Sequence, residues 1–153
     1  MFIYTAKLPR RSPLAAALLA AALLALLSRC AGGREAPPSL AAPDNDARLA
    51  YLASLGWEAR AQPLEELELT LPSELEEPYL SYNAVQLRQG FDLAPYCGRT
   101  LLRCTYALTN YPGREQGVQA DLYVCDGVIV AGDVVCVGEN GFLTTLERPQ
   151  HPG

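Results

Sequence analysis

The chain is nearly devoid of lysine and histidine, the side chains that supply many catalytic bases. Lys7 is the single lysine among its 153 residues, and His151 is the single histidine, in a Pro- and Gly-containing tail. A serine or cysteine nucleophile of the common type needs an imidazole beside it, and a Schiff-base site needs a lysine amine. The sequence therefore argues against these enzyme mechanisms.

Short motifs for metals, phosphates and cofactors are also missing. The chain contains no CxxC pair, no HExxH, no GxSxG and no glycine-rich phosphate loop. The glutamates between residues 65 and 77 do not have the spacing of a calcium loop. We therefore predict no metal ion, no cofactor and no catalytic residue.

Acidic residues are absent before Glu35, and basic residues become scarce after it. Residues 31–153 carry 17 acidic and eight basic side chains, which gives them a net charge of −9. Nucleic-acid binding and docking on anionic lipid both depend on basic groups that neutralise phosphates. We therefore predict no nucleic-acid partner and no docking of this acidic region on anionic lipid.

Residues 12–28 form an uncharged, apolar stretch that follows Lys7, Arg10 and Arg11 and precedes Arg29. A membrane-spanning helix needs about 20 apolar residues, and this stretch just reaches the lower limit of roughly 17. A cleaved signal peptide has the same basic start but a shorter apolar run and a small-residue exit, and a lipoprotein signal needs a small residue before its cysteine. We favour a single-pass anchor with a cytoplasmic N-terminus and the remainder outside; secretion after cleavage is the alternative.

Composition divides the chain into five parts. Proline and small residues without periodicity are typical of a flexible linker. The predicted parts are a basic cytoplasmic start (1–11), a membrane anchor or signal segment (12–29), a linker (30–43), an extracytoplasmic domain (44–148) and a disordered tail (149–153).

Hydrophobic periodicity predicts a helix followed by a strand at the start of the domain. Residues 44–57 have helical spacing, and Asp44, Asn45 or Asp46 is placed to cap the free amides of the first turn. The expected apolar face of this helix comprises Leu49, Leu52 and Ala53. The spacing then changes to a period of two, which predicts a half-buried strand with an acidic outer face. The inward positions of that strand are Leu67, Leu69 and Leu71.

A second helix and three more strands complete the predicted order. The helix is expected to end near Gln89 and to start either at a capping box or in the turn that contains Pro78. The capping box would be Ser73 and Glu76, and the apolar positions are Leu80, Ala84 and Leu87. Strands are expected at 100–109, 118–125 and 128–137, the last two joined by Asp126-Gly127. The order α-β-α-β-β-β indicates an α+β domain with both helices on one face of an antiparallel sheet.

The domain contains four cysteines, Cys97, Cys104, Cys125 and Cys136. Outside the cell, an even number permits two disulfides in three connectivities. Cys104 and Cys125 lie on neighbouring predicted strands, and their pairing would leave Cys97 for Cys136. Free buried cysteines, which behave as small hydrophobic residues, are the alternative.

Residues 82–112 concentrate the aromatic side chains, at a helix, a loop, a strand and a turn. These rings are expected to form the seam of a small core, and an exposed aromatic groove for a peptide or glycan is the alternative. Two amide side chains of the helix are expected to bond backbone groups of the loop beneath. The rings are those of Tyr82, Phe91, Tyr96, Tyr106 and Tyr111. The candidate binding or structural positions are Tyr82, Asn83, Gln86, Asp92, Tyr96, Tyr106, Asn110, Tyr111 and Asp133.

Asp133 stands out because it follows Gly132 in an otherwise apolar strand. A buried carboxyl group there would have a raised pKa, and with Asp121 or Asp92 it would be able to act in acid–base chemistry. We prefer the interpretation in which Gly132 marks a β-bulge and Asp133 bonds nearby amides or faces water.

Four segments carry a family resemblance: YLASLGWE (51–58), YNAVQLRQGFDLAPYCGRTLLRCTYALTNYP (82–112), AGDVV (131–135) and GF (141–142). Together they resemble the uncharacterised bacterial family named domain of unknown function 4830, over roughly residues 47–146. The resemblance implies a small, membrane-anchored, extracytoplasmic domain from Firmicutes-type bacteria. It implies no reaction, because the family has no assigned activity. Cys104 and Cys125 depart from the family pattern.

These observations favour a cell-envelope interaction or sensory module without catalytic activity. Its expected partners are the membrane, through the N-terminal helix, and an unidentified protein, peptide or envelope component. One alternative is a small carboxylate-based hydrolase that uses Asp133. Another is a peptide-binding or inhibitory module that uses the edge of the Leu67–Leu71 strand, and a third is a purely structural envelope component.

Overall fold

A computed structural model describes residues 39–149, apart from 115 and 139. The predicted basic start and the predicted anchor or signal segment at 12–29 lie outside the described residues and stay predictions, as does most of the predicted tail. Within the described range, no helix combines the length and apolar character needed to cross a bilayer.

The described part of the chain contains two α-helices and five strands. The elements are α1 (Asn45–Ser54), β1 (Glu65–Thr70), α2 (Tyr79–Leu87), a 3₁₀ turn (Ala94–Tyr96), β2 (Thr100–Ala107), β3 (Val118–Cys125), β4 (Val128–Cys136) and β5 (Phe142–Thr144). The α+β class is confirmed, and so is the predicted order of the first six elements. The sequence analysis missed β5, because three residues are too few to show a period.

The strands form one antiparallel sheet in chain order, so that β1 and β5 lie at its two edges. The predicted hairpin turn between β3 and β4 is confirmed. Asp126 and Gly127 have φ values of 49° and 75°, the left-handed conformation that a two-residue turn of this type requires. This meander places long strands at the centre of the sheet.

The two helices pack on opposite faces of the sheet, so the prediction that both share one face is wrong. Leu52 of α1 packs in a cluster with Tyr106 and Leu122. Tyr82 of α2 packs instead with the cluster that contains Leu101. Because side chains alternate between the faces along each strand, β2 and β3 supply both clusters. We name the two sides the α1 face and the α2 face.

Helix α1 begins as predicted, and its predicted apolar face is confirmed in part, since Leu52 is buried and Leu49 packs against the α1-face cluster. The Asp44 carboxylate accepts a hydrogen bond from the backbone N–H of Ala47 at 2.9 Å, which confirms the cap. The buried residues are Arg48, Tyr51 and Leu52, whereas Ala53 is exposed. Arg48 can be buried because its guanidinium donates to the Glu66 carboxylate at 2.7 Å.

Helix α2 turns a polar side toward the protein, which reverses the predicted face. Asn83 and Gln86 are buried, while Leu80 and Leu87 are 50% and 56% exposed. The helix starts directly after Pro78, without a side-chain cap. The predicted alternative, a capping box formed by residues 73 and 76, is therefore wrong.

The C-terminal end of α2 seals the free edge of β4. The side-chain carbonyl of Gln86 accepts from the backbone N–H of Gly132 at 3.0 Å. The Gln89 amide donates to the Gly132 carbonyl at 2.6 Å, and its oxygen accepts from the backbone N–H of Leu146 at 2.8 Å. Because β5 pairs with β4 only from Val134 onward, these two glutamines take the place of the missing strand.

The four cysteines are free thiols, and the sheet separates the pairs that the sequence analysis proposed. Cys104 lies opposite Leu122 and belongs to the α1-face cluster, whereas Cys125 belongs to the α2-face cluster. Cys136 lies at the far end of β4, opposite Val118. That position is distant along the sheet from the loop that carries Cys97, so neither proposed disulfide forms.

Gly132 supports close packing and does not mark a bulge. The irregularity in the β3–β4 pairing falls between Tyr123 and Val124. A Cβ atom on Gly132 would lie 2.5 Å from Leu146 Cδ1 and 2.9 Å from the Asp121 carbonyl oxygen. No side chain fits there without movement of the backbone.

We expect Gly132→Ala to lower the free energy of unfolding by about 1–3 kcal/mol, because overpacking forces its neighbours to move. Urea denaturation followed by circular dichroism measures the change. Ala84→Ser, at an exposed position of α2, is the control and should leave stability within about 0.5 kcal/mol. Equal stability of the Gly132→Ala variant and the unmodified chain would contradict the close approach.

Candidate functional site

A groove of about 360 Å³ lies on the α2 face, between edge strand β1 and the start of α2. Its volume is within the range of roughly 300–1,000 Å³ typical of small-ligand sites. Leucine side chains form its β1 wall and floor, aromatic rings form its α2 wall, and one guanidinium is present. The lining residues are Leu69, Leu71, Pro78, Tyr79, Tyr82, Leu93, Leu101, Arg103 and Tyr123. We call this feature the α2 groove.

Strand β1 forms an apolar rim beside the α2 groove. Leu67 and Leu69 lie opposite Arg103 and Leu101 in the register, so their side chains share the α2 face. The alternation predicted from the sequence is present, but Leu67 remains 43% exposed. As an edge strand with a single neighbour, β1 is buried only toward its end, where Leu71 enters the core.

The outer backbone groups of β1 point away from the sheet. The N–H of Leu71 donates to the carbonyl of Arg99 at 3.0 Å, which fixes the phase of hydrogen bonding with β2. In an antiparallel pair, alternate residues bond inward and the residues between them point outward. The outward residues of β1 are therefore Glu66, Glu68 and Thr70, whose backbone groups contact no partner within the described part of the chain.

A polar cluster lies beneath Tyr82 and connects α2 to the sheet. The Tyr82 hydroxyl donates to Asp133 Oδ2 at 2.5 Å, and its ring meets the Tyr123 ring edge-on at 5.8 Å. Asp133 is 1% exposed and lies opposite Asp121, which accepts from the Thr105 hydroxyl. The preferred interpretation, that Asp133 bonds amides or faces water, is therefore wrong.

The pKa of Asp133 is raised to about 7, chiefly by burial. The hydrogen bond from Tyr82 and the charge of Arg103 lower this pKa, and the nearby charge of Asp121 raises it. The sequence analysis gave this direction only for the buried interpretation, which it did not favour. Burial also raises the pKa of Asp121 and raises that of Tyr123 to about 12. Burial raises the pKa of Tyr82 as well, so Tyr82 and Tyr123 are both neutral near pH 7. Between residues 39 and 149, omitting 115 and 139, no three His, Cys, Asp or Glu side chains are grouped to hold a metal ion.

Asn83 and Asp92 fix the loop that forms the floor of the α2 groove. The Asn83 side chain accepts from the backbone N–H of Leu93 at 2.8 Å and donates to the Asp92 carboxylate at 3.0 Å. The predicted bond from Asn83 to the loop beneath is thus confirmed, whereas the one predicted for Gln86 is wrong, because its side-chain carbonyl accepts from Gly132 of β4 instead. Backbone bonding at Ala94 lowers the pKa of the exposed Asp92, with a contribution from Asn83. Asp92 therefore binds this loop and does not pair with Asp133. Of the two carboxylates considered as partners of Asp133, Asp121 is the one that lies opposite it.

Several of the sequence-predicted residues lie on the α1 face, away from the α2 groove. The Tyr106 hydroxyl donates to Asn45 Oδ1 at 2.9 Å, and the Tyr111 ring stacks on Trp57 at 5.9 Å. Asn110 bonds backbone groups just after α1, at 2.9 and 3.0 Å. These three side chains join the end of the β2 strand to α1 and its exit, which is a structural role.

The aromatic side chains of residues 82–112 therefore do not form one seam. Tyr82 and Tyr96 belong to the α2-face cluster, and only Tyr82 lines the groove. Phe91 packs against the α1-face cluster, as do Tyr106 and Tyr111. The predicted single core seam is wrong, because the sheet divides the stretch between its two faces, and the alternative of an aromatic groove for a peptide or glycan stays a prediction.

The sequence analysis missed Tyr79, Arg103 and Gln89. One signal for Arg103 was present. Leu101, Arg103 and Thr105 lie two residues apart and share one face of β2, and the last two give that face a polar character. Gln89 shows no local signal, because its partners, Gly132 and Leu146, are distant in sequence.

Comparisons of the chain with family models, curated proteins and solved structures find no match. The resemblance to the domain of unknown function 4830 family stays a prediction. The functional argument therefore rests on the α2 groove and its surroundings.

Asp133→Asn is expected to change how stability depends on pH. The unfolded carboxyl group loses its proton near its ordinary pKa of 3.8, whereas the folded one holds it to about 7. The folded state therefore binds more protons in this window, and the stabilisation present below about pH 4 is lost as the pH rises to about 7. The variant carries no such charge, so its stability relative to the unmodified chain should increase by on the order of 3 kcal/mol across the window.

Urea denaturation at pH 4, 5.5 and 7.5 measures this difference. Asp92→Asn is the matched control: its pKa is lowered, so its difference from the unmodified chain should stay flat from pH 5.5 to 7.5. A flat difference for Asp133→Asn as well would show that Asp133 does not hold its proton in the fold.

Proposed function

We propose that this domain is a non-catalytic interaction module of the cell envelope that binds an extended peptide along β1, with side chains of the peptide in the α2 groove. The observation that carries the proposal is the outer edge of β1, which no strand of the described residues covers and which lies directly beside that groove. An extended peptide can add to such an edge as a further strand, where main-chain hydrogen bonds give affinity and pockets for alternate side chains give specificity.

The two edges of the sheet support this proposal by their contrast. At β4, the side chains of Gln86 and Gln89 occupy the outward backbone groups that β5 leaves free. At β1, the outward groups of Glu66, Glu68 and Thr70 meet no such side chain in the described residues. An added strand in register would form hydrogen bonds with the backbone groups of these three residues.

The side-chain geometry favours the same mode of binding. Residues of an added strand would alternate between the faces, so every second side chain would lie on the α2 face. Leu67 and Leu69 border that position, and Tyr79 and Tyr82 stand across the groove. Apolar residues at alternate positions of the peptide would therefore be buried between β1 and α2.

A carboxylate-based hydrolase receives less support. Asp133 lies beneath Tyr82 with 1% of its surface exposed, and Asp121 is bonded to Thr105. A substrate in the α2 groove would meet the tyrosine ring before either carboxyl group. The acid pair is better suited to linking α2 to the sheet, and the proposal therefore assigns it no reaction.

Glu68→Pro tests the proposed strand addition directly. Proline removes the outward N–H of residue 68 and leaves the β1–β2 bonds intact, because proline is tolerated at outward positions of edge strands. Glu68→Ala is the matched control, since it removes the same charge and keeps the N–H. A displayed library of peptides about ten residues long, with valine or leucine at alternate positions, supplies the ligands.

We expect peptides selected on the full chain to lose about tenfold or more in affinity for Glu68→Pro and to bind Glu68→Ala with at most a small loss, measured by fluorescence anisotropy. The loss follows from a missing main-chain hydrogen bond and a blocked edge. Failure to select any binder, or equal binding to the two variants, would refute strand addition at β1.

The proposed envelope location can be tested with Ser73→Cys, because Ser73 is exposed. A membrane-impermeant maleimide applied to intact bacterial cells should label this variant more strongly than the unmodified chain, if the domain is outside. Lysed cells provide the control for total thiol. Extra labelling that appears only after lysis would contradict the proposed location.

A further inference from the structure

We infer that the peptide bound along β1 is cationic, with lysine or arginine between its apolar residues. This inference rests on the proposed function and names the chemical class of its ligand. Its support is the distribution of charge around the α2 groove, because acidic side chains of the loop after β1 lie next to the apolar lining of the groove.

The loop between β1 and α2 forms an acidic hollow of about 270 Å³. Glu74, Glu76 and Glu77 line it, together with Tyr79. Tyr79 also lines the α2 groove, so the hollow and the groove share one wall and form a continuous surface. A peptide in the groove would therefore pass within reach of these carboxylates.

These carboxylates are not neutralised within the described part of the chain. The ion pairs found there are Arg48–Glu66, Arg99–Asp126 and Arg103–Glu65. Neither Glu68 nor the three glutamates of the hollow take part in them. A fixed, uncompensated negative charge beside an apolar groove attracts cationic ligands and repels anionic ones.

Arg103 does not reverse the sign of the surface. It lines the groove, but its guanidinium is paired with the carboxylate of Glu65 on the neighbouring strand. The positive charge inside the groove is therefore already paired with a carboxylate of β1. The net field at the mouth comes from Glu74, Glu76 and Glu77. Glu68 lies opposite Leu102 and therefore faces the α1 side, where the side chains between the apolar residues of an added strand would also lie.

A second copy of the chain is a poor occupant of the same edge. Two β1 strands paired side by side would bring glutamates of one against glutamates of the other, and like charges across strands destabilise pairing. Charges on an edge strand are a common protection against such self-association. The glutamates of β1 would not repel a cationic peptide strand.

The peptide library described above tests the inference when the positions between the apolar residues, and those that flank the apolar segment, are left free. Selection on the full chain, kept in solution with a zwitterionic detergent, should enrich lysine and arginine over aspartate and glutamate at those positions. The double variant Glu74→Gln, Glu76→Gln should weaken the selected peptides about 3- to 10-fold at low salt. The effect should shrink in about 0.5 M salt, where charges are screened.

Glu58→Gln with Glu147→Gln is the matched control, because it removes two exposed charges elsewhere and should leave affinity unchanged. Glu77 is kept because its carboxylate accepts from the Ser81 backbone N–H. Binders that lack basic residues, lose affinity for Glu68→Pro and ignore the double variant would overturn the cationic inference alone. The absence of any binder would overturn the proposed function together with it.

Discussion

The hydrogen bond between Gln86 and the backbone N–H of Gly132 is the contact on which the rest of the α2 face depends. It holds the helix across the open part of the β4 edge, where β5 is too short to pair. With the helix fixed there, Tyr82 lies over Asp133 and the start of α2 stands opposite β1. The groove is thus a consequence of how one edge is sealed. Gly132 is required, because a side chain at this position would meet Leu146.

This arrangement explains why hydrophobic periodicity assigned the wrong face to α2. Apolar spacing predicts the buried side only when apolar contacts hold a helix in place. Here Gln86, with no exposed surface, and Asn83 supply bonds to backbone groups, and Leu80 and Leu87 remain outside. Features governed by local chemistry were predictable: the Asp44 cap, the Asp126-Gly127 turn and the central strands.

The candidate site could be predicted only in part for the same reason. The alternation at Leu67–Leu71 identified a strand with an apolar side, whereas the apolar neighbours of Asp133 suggested a buried acid only as the less favoured interpretation. The sequence did not reveal that β1 is an edge or that α2 packs on the face opposite α1. Both depend on the strand order and register, which join residues far apart in the chain, such as Tyr82 and Asp133. The two proposed disulfides were wrong for the same reason, because the strand register places the cysteines of each pair apart.

Residue-resolved amide hydrogen exchange tests most directly the claim that α2 seals one edge of the sheet and leaves the other free. The sealed-edge arrangement predicts that the Gly132 amide exchanges only with global unfolding, like the central strands, while the outward amides of Glu68 and Thr70 exchange rapidly. Rapid exchange at Gly132, or protection of Glu68 and Thr70 equal to that of β3, would contradict it.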